Sequence, residues 1–109
     1  MTARKLSSHF ELVLTAEAGS KEAENLAKVL LQRRLASCVS LQQTCSHYWW
    51  KGKLEESDEV QLLIKTTSEQ LDSLRDAIAQ LHSYENPELI HWPASVGELY
   101  GNWVRGELH

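Results

Sequence analysis

Two long stretches of strand-like sequence, residues 37–50 and 54–67, are separated only by the short link Lys51-Gly52-Lys53. A link of this length with a central glycine favours a β-hairpin. At about 3.3 Å per residue, residues 37–49 alone would extend about 43 Å. A globule of about 100 residues has a radius of gyration near 13 Å, which corresponds to a diameter of about 34 Å. The hairpin is therefore predicted to project beyond the body of its own domain as an arm.

The far end of this predicted arm is apolar. Tyr48, Trp49 and Trp50 stand beside the turn, and the core of a 109-residue chain cannot cover all three rings. Exposed aromatic surface and unpaired strand edges promote aggregation. Burial against other copies of the chain avoids this, so an obligate oligomer is predicted. The alternative is a β-bulge that folds the tip back onto the same chain.

The segments on either side of the hairpin carry strand and helix patterns. Residues 9–16 are typical of a first strand. From Ser20 the apolar positions recur at intervals of three and four, as in a helix with one buried stripe. A second helix is predicted to begin at Thr67, where Thr67 and Gln70 have the spacing of a capping box, and to end near His82.

Two further elements complete the chain. Residues 88–92 are predicted to form an edge strand that is bounded by Pro93. Ser95 and Glu98 have the spacing of a second capping box and precede apolar positions typical of a short terminal helix. The predicted order is βαββαβ plus a C-terminal helix. This order is typical of an α+β, ferredoxin-like sandwich in which both main helices cover one face of the sheet.

Composition places the chain among ordinary globular domains. Its length predicts a single domain, residues 1–109, with residues 1–8 as a flexible N-terminus. The net charge is −4, and the sequence has neither a basic block nor a long apolar run, so nucleic-acid binding and membrane spanning are not expected. The N-terminus does not resemble a secretory signal, so a cytoplasmic location is expected. Cys38 and Cys45 lie too far apart on one strand to form a disulfide.

Common catalytic motifs are missing from the sequence. It contains no Gly-Xaa-Ser-Xaa-Gly elbow, no phosphate-binding glycine loop, no Cys-Xaa-Xaa-Cys and no His-Glu-Xaa-Xaa-His. A protein without enzymatic activity is therefore predicted, and an esterase-type enzyme is a minor alternative. Metal binding is better supported, because imidazole, thiolate and carboxylate groups together suit copper or zinc.

Two groups of side chains could supply such ligands. Cys45 and His47 are two residues apart on a predicted strand, so they point to the same face, although this spacing also fits an ordinary strand surface. His82, Glu85 and Glu88 flank the turn between the second helix and the last strand, where a loop can bring ligands together. The other interpretation of His82 is a cation at the C-terminus of a helix.

Several segments together resemble the CutA divalent-cation tolerance family. They are residues 35–39 (LASCV), 48–56 (YWWKGKLEE), 59–67 (EVQLLIKTT) and 82–88 (HSYENPE), with Tyr100 and Trp103 near the end. The likeness extends from about residue 10 to residue 104. It implies a ferredoxin-like homotrimer with hairpins that pair between subunits. It also implies a cytoplasmic protein of divalent-metal tolerance that is associated with copper(II).

The resemblance also implies site residues. His82 and Glu88, from the family's His-Xaa-Tyr-Xaa-Xaa-Pro-Glu stretch, are the predicted metal ligands. Trp50, Lys65 and Tyr84 are predicted to line a cleft between subunits. The predicted function is a trimeric protein that binds divalent cations. The alternative is a trimer similar to the PII signalling proteins, which would bind a small anionic ligand beside Lys65.

The chain departs from the family pattern at two positions. Thr15 stands where some relatives have a cysteine, so a thiolate ligand from the first strand is lacking. Ser83 replaces the proline that usually follows His82, and a looser turn is expected there.

Overall fold

The computed structural model describes the backbone of residues 6–108 and the side chains of residues 10–108. In this part of the chain the elements are, in order, β1 (Leu6–Glu17), α1 (Ser20–Gln32), β2 (Cys38–Trp50), β3 (Lys53–Thr67), α2 (Ser68–Leu81), β4 (Ile90–Gly97) and α3 (Glu98–Glu107). The strands form one antiparallel sheet in the order β2-β3-β1-β4. The predicted ferredoxin-like topology with a C-terminal helix is confirmed. None of the described helices is long and apolar enough to cross a membrane.

The β2–β3 hairpin is long and regular. Its strands pair without a register shift from Cys38 opposite Lys65 to Trp50 opposite Lys53. Positive φ angles at Lys51 (49°) and Gly52 (78°) are typical of a type I′ turn, whose twist suits two antiparallel strands. The molecule measures 57 Å along its longest axis but only 26 and 21 Å along the others. The predicted arm is therefore confirmed, and the alternative of a bulge that folds the tip back is wrong.

Both main helices cover one face of the sheet, as predicted. Their apolar side chains pack on alternate residues of β1 and β3, among which Val13, Leu62 and Ile64 are fully buried. Burying one side chain of this kind stabilises the fold by about 1.5–3 kcal/mol. α3 lies against the opposite face, where Val104 packs with Phe10. The core is thus concentrated at one end of the hairpin.

Two strands are longer than the sequence predicts. β1 begins at Leu6, which places residues 6–8 in the sheet, whereas residues 1–5 of the predicted flexible N-terminus lie outside the described residues. β4 does not end at Pro93 but continues to Gly97. Because β4 is an edge strand, as predicted, the missing N–H of a proline can be tolerated there.

Neither predicted capping box forms. α2 begins after Thr67, but the Thr67 side chain makes no capping hydrogen bond. Ser95 lies within β4, and Gly97 is the residue that precedes α3. β4 pairs with β1 on both sides of Ser95, so strand pairing determines its conformation. A serine with a glutamate three residues later is therefore not sufficient to start a helix here.

Candidate functional site

A cavity of about 1040 Å³ lies between the arm and the turn that follows α2. It is lined by Ala16, Ser46, His47, Tyr48, Trp50, Glu55, Glu59, Ser83, Tyr84, Glu85, Asn86 and Glu88. Four of these residues are glutamates, and none of the described lining residues is a lysine or an arginine. Carboxylates gathered around one space create a negative potential that attracts cations.

The His82 ring is fully buried at the end of α2. Its Nε2 donates to the carbonyl oxygen of Ala16 at 2.7 Å, and its Nδ1 accepts from the N–H of Tyr84 at 3.0 Å. Both ring nitrogens of His82 are therefore engaged by the backbone. Neither nitrogen keeps a free lone pair in this arrangement. For His82 to act as a metal ligand, as the resemblance implies, its ring would have to give up one of these bonds.

Glu17, the last residue of β1, is buried beside the same turn. Its carboxylate accepts hydrogen bonds from the N–H and from the hydroxyl of Ser83. One carboxylate oxygen also lies 3.6 Å from Nδ1 of His82, which is longer than a hydrogen bond. A proline at position 83 could supply neither donor. The expectation that Ser83 loosens the turn is therefore wrong, because this serine fixes the turn to β1.

Tyr84 connects the turn to the arm. Its hydroxyl donates to Oε2 of Glu59 at 2.8 Å, and its ring lies 5.1 Å from that of His82. Burial raises the pKa of Tyr84 above its usual range, and the hydrogen bond to Glu59 and the charge of that carboxylate raise it further. The hydroxyl therefore remains a donor at neutral pH and holds one oxygen of Glu59 in place at the wall of the cavity.

The structure brings some of the predicted site residues together and leaves others apart. Glu88 borders the cavity together with Trp50 and Tyr84. Lys65 does not, because it lies six residues along β3 from Glu59, about 20 Å away. Its Nζ instead stands 5.9 Å above the ring of Tyr100. Within the described chain no three His, Cys, Asp or Glu side chains are placed to hold a metal ion.

The second predicted ligand pair is also close in space. Sγ of Cys45 lies 3.7 Å from Nε2 of His47, and both side chains are exposed on the arm. Desolvation raises the pKa of the Cys45 thiol, and the carboxylates of Glu56 and Asp58 raise it further. Cys45 is a free cysteine, and so is Cys38 at the start of the same strand.

Two residues of this region were missed in the sequence. Glu17 lies on the same face of β1 as the core residues Val13 and Thr15, so strict alternation along the strand already indicates its burial. Glu59 is the alternate residue beside Val60 and points to the opposite face, towards Tyr84. The alternation could have identified both positions, but their partners in the turn could not be predicted from spacing.

At Thr15, the described chain offers no hydrogen-bond partner to the buried Oγ1.

Comparison with known sequences gives a consistent family match. Residues 11–107 match the family model described as CutA1 divalent ion tolerance protein. The divalent-cation tolerance protein CutA of Archaeoglobus fulgidus is 39% identical over 85 residues, which cover 77% of this chain and 83% of that protein. Human protein CutA is 42% identical over 87 residues, which cover 78% of this chain. The match spans only 49% of the human protein's length.

Solved structures agree with the family match. CutA from Synechococcus elongatus superimposes with a TM-score of 0.94 at 31% identity, covering 99% of this chain and 97% of that chain. CutA from Xylella fastidiosa gives a TM-score of 0.90 at 36% identity, covering 94% of this chain and all (100%) of that chain. The A. fulgidus structure, which is described as a periplasmic divalent cation tolerance protein, gives 0.88 at 31% identity and covers 92% and 99% of the two chains.

Proposed function

Because the chain belongs to the CutA1 divalent ion tolerance family, we propose that it binds a divalent cation, Cu²⁺ above all, in a cleft shared by three copies of the chain. The cation is held without chemical turnover. Binding of this kind would lower the concentration of free ion, which is one physical route to metal tolerance.

The charge of the large cavity carries this proposal. Glu55, Glu59, Glu85 and Glu88 line it without a lysine or an arginine among the described lining residues. Carboxylate and imidazole ligands suit Cu²⁺. Each added carboxylate makes a cation more favourable and an anion less favourable in the same space. The PII-like alternative is therefore less well supported than cation binding, because an anionic ligand would be repelled by this wall.

Glu88 is the first ligand in the proposed site, and Glu85 on the same turn is its nearest acidic neighbour in sequence. Both side chains are exposed and can adjust to an ion. Glu59 has one oxygen occupied by Tyr84 and can offer the other. His82 remains a predicted ligand, which joins the site if its ring releases the N–H of Tyr84. Until then its hydrogen bonds position the turn that carries the glutamates.

The exposed end of the arm supports association with other copies of the chain, and the resemblance to the family implies that there are three. Trp49 and Leu54 face each other across the hairpin, and each is 71% exposed. Trp50, on the other face of the hairpin, is 56% exposed. Apolar area of this kind is stable in water when it is buried against sister chains. In the proposed trimer, Lys65 of one copy and the cavity of the next copy form the cleft together.

A cytoplasmic location is part of the proposal. Free thiols such as those of Cys38 and Cys45 persist in a reducing compartment. The relative from A. fulgidus is described as periplasmic, so the compartment needs its own measurement. Fractionation of cells that produce the full chain distinguishes the two locations.

Calorimetry with Cu²⁺ on chelator-treated protein tests the cation site. We expect Glu88→Ala to weaken binding at least tenfold, or about 1.4 kcal/mol. Glu24→Ala is the matched control, because it removes the same charge from the exposed side of α1. Equal affinity in these two variants would place the ion outside the cavity. His82→Ala, with its fold checked by thermal unfolding, then shows whether the ring binds the ion or only positions the turn.

A parallel screen addresses the alternative function. Small anionic metabolites should leave the melting temperature unchanged if the cavity is a cation site. Stabilisation by such an anion, without stabilisation by Cu²⁺, would favour the PII-like function instead.

Sedimentation velocity tests the assembly. The native protein is expected to sediment with three times the mass of one chain at micromolar concentration. Trp49→Ser should shift it towards smaller species, whereas Leu31→Ser, which removes an exposed apolar side chain from α1, should not. A native protein that sediments as a single chain even when concentrated would exclude the shared cleft.

A further inference from the structure

The pair Cys45 and His47 has the geometry of two ligands around one metal ion. A zinc ion binds thiolate sulfur at about 2.3 Å and imidazole nitrogen at about 2.0–2.1 Å. At the tetrahedral angle these bond lengths separate sulfur from nitrogen by about 3.6 Å. In the arm, Sγ of Cys45 lies 3.7 Å from Nε2 of His47. An ion could enter between the two atoms with little movement of either side chain.

Glu56 lies beside the imidazole of His47, on the side of its Nδ1. The two residues face each other across the hairpin, and Nδ1 of His47 lies 3.5 Å from Oε2 of Glu56. Metal-binding histidines usually direct their second N–H to a carboxylate, which fixes the tautomer and increases the basicity of the other nitrogen. With the proton on Nδ1 towards Glu56, the lone pair of Nε2 points to the thiol.

The site also has space and a further carboxylate. Cys45 borders a separate cavity of about 460 Å³ between the arm and the start of α1. Asp58, which stands opposite Cys45 in the ladder, lines the same cavity. His47 does not border this smaller cavity but lies at the edge of the larger acidic one, which Cys45 and Asp58 do not line. The thiol therefore lies outside the carboxylate site described above, and the imidazole stands between the two cavities.

We propose that Cys45 and His47 form a second metal site, which takes a thiophilic d¹⁰ cation such as Zn²⁺, with Glu56 as the residue that positions His47. Water molecules complete the coordination. When the sulfur binds the ion, the S–H bond breaks, the S–metal bond forms, and the proton passes to the buffer. This site does not depend on the proposed function, because it shares no glutamate ligand with the acidic cavity.

A Cd²⁺ titration of the reduced, chelator-treated full chain tests the proposal, because cadmium thiolates absorb in the ultraviolet. We expect one Cd²⁺ thiolate site per chain in the native protein, which Zn²⁺ displaces. Cys45→Ser should abolish the absorption, and His47→Asn should weaken Cd²⁺ binding at least tenfold. Glu56→Gln should weaken it by about 10- to 100-fold, as expected for a second-shell carboxylate.

The controls separate this site from other thiols and from the acidic cavity. Cys38→Ser removes the other cysteine and should leave the absorption unchanged, as should Glu88→Ala. Absorption that persists in Cys45→Ser, or disappears in Cys38→Ser, would overturn the proposal. So would full affinity in His47→Asn, because the thiol would then bind the ion alone. Unchanged Cu²⁺ affinity in Glu88→Ala would contradict the acidic cavity as a cation site and would leave the Cys45 and His47 site unaffected.

Discussion

The two ends of the β2–β3 hairpin have the same backbone and opposite surroundings. At the base, Leu62 and Ile64 are fully buried under α1 and α2. At the tip, Trp49 and Leu54 are on the same face of the sheet, yet each is 71% exposed. Pairing between the strands continues unchanged from one end to the other. The difference therefore lies in the layer above the strands and not in the strands themselves.

This contrast shows what an alternating pattern specifies. Period-two alternation determines which side chains share a face of a sheet, but not what covers that face. At the base the chain supplies its own cover from two helices. At the tip the same pattern, with larger aromatic residues, has no cover from the described chain. Experiments that treat the two ends separately can break or sharpen this interpretation.

The largest difference is expected between Ile64→Ala and Leu54→Ala. Truncating fully buried Ile64 leaves a cavity and should lower the free energy of unfolding by about 2–5 kcal/mol at every protein concentration. Truncating Leu54 should change it by less than about 0.5 kcal/mol in dilute solution, as for other exposed positions. The loss of stability caused by Leu54→Ala should grow with protein concentration if sister chains cover the tip. Chemical denaturation at several concentrations measures both effects.

Equal, concentration-independent costs for the two truncations would contradict the comparison. That result would mean that the tip packs within its own chain as the base does.

A smaller effect distinguishes two buried hydroxyls within the base. Thr66 Oγ1 donates to the carbonyl oxygen of Leu35 at 2.7 Å, whereas the described chain offers Thr15 Oγ1 no partner. Thr66→Val should therefore destabilise the protein by about 1–3 kcal/mol, because a buried carbonyl loses its donor. Thr15→Val removes an unpaired polar group and should stabilise it by about 1 kcal/mol. Denaturant midpoints that shift in the same direction would show that Thr15 has a partner after all.

The smallest effect is expected where base and tip meet, at the hydrogen bond from Tyr84 to Glu59. Tyr84→Phe should cost little at neutral pH, because the region is partly solvated. The pKa of Tyr84 is raised in the folded protein, so the folded state retains a proton that the unfolded state loses above about pH 10. Stability should therefore fall with rising pH from about pH 10 upwards, and more steeply in the native protein than in Tyr84→Phe. Melting temperatures of the native protein and of Tyr84→Phe, measured from neutral to alkaline pH, provide the comparison. If both proteins lose stability equally with rising pH, the hydrogen bond from Tyr84 to Glu59 does not have the role assigned to it.

The elements that could be predicted are those whose signal is local and periodic. The arm, its glycine-containing turn and both main helices follow from residue spacing and from Gly52. The helix after Thr67 begins where predicted, but the capping hydrogen bond of Thr67 does not form. Ser95 starts no helix, because β4 pairs with β1 on both sides of it.

The candidate site was harder to predict, because its geometry depends on contacts between distant segments. Glu88 and Tyr84 reach the cavity from the turn after α2. Nothing in the spacing of His82 indicates that its ring bonds to Ala16, 66 residues earlier in the chain. The same limit applies to Glu17 and Ser83, which are brought together only by the folded sheet.

The unbroken ladder of the hairpin also restricts how the reach of such an arm can change in evolution. Deleting one residue from β2 alone would mispair every residue beyond the deletion. Deleting one residue from each strand would restore the pairing. It would also move Cys45 and His47 to the opposite face of the sheet, and Trp50 to the face that they now occupy. Only the loss or gain of two residues in each strand keeps both the pairing between the strands and the face on which each side chain lies. Arms built on this plan can therefore lengthen or shorten by four residues at a time, in increments of about 6.6 Å.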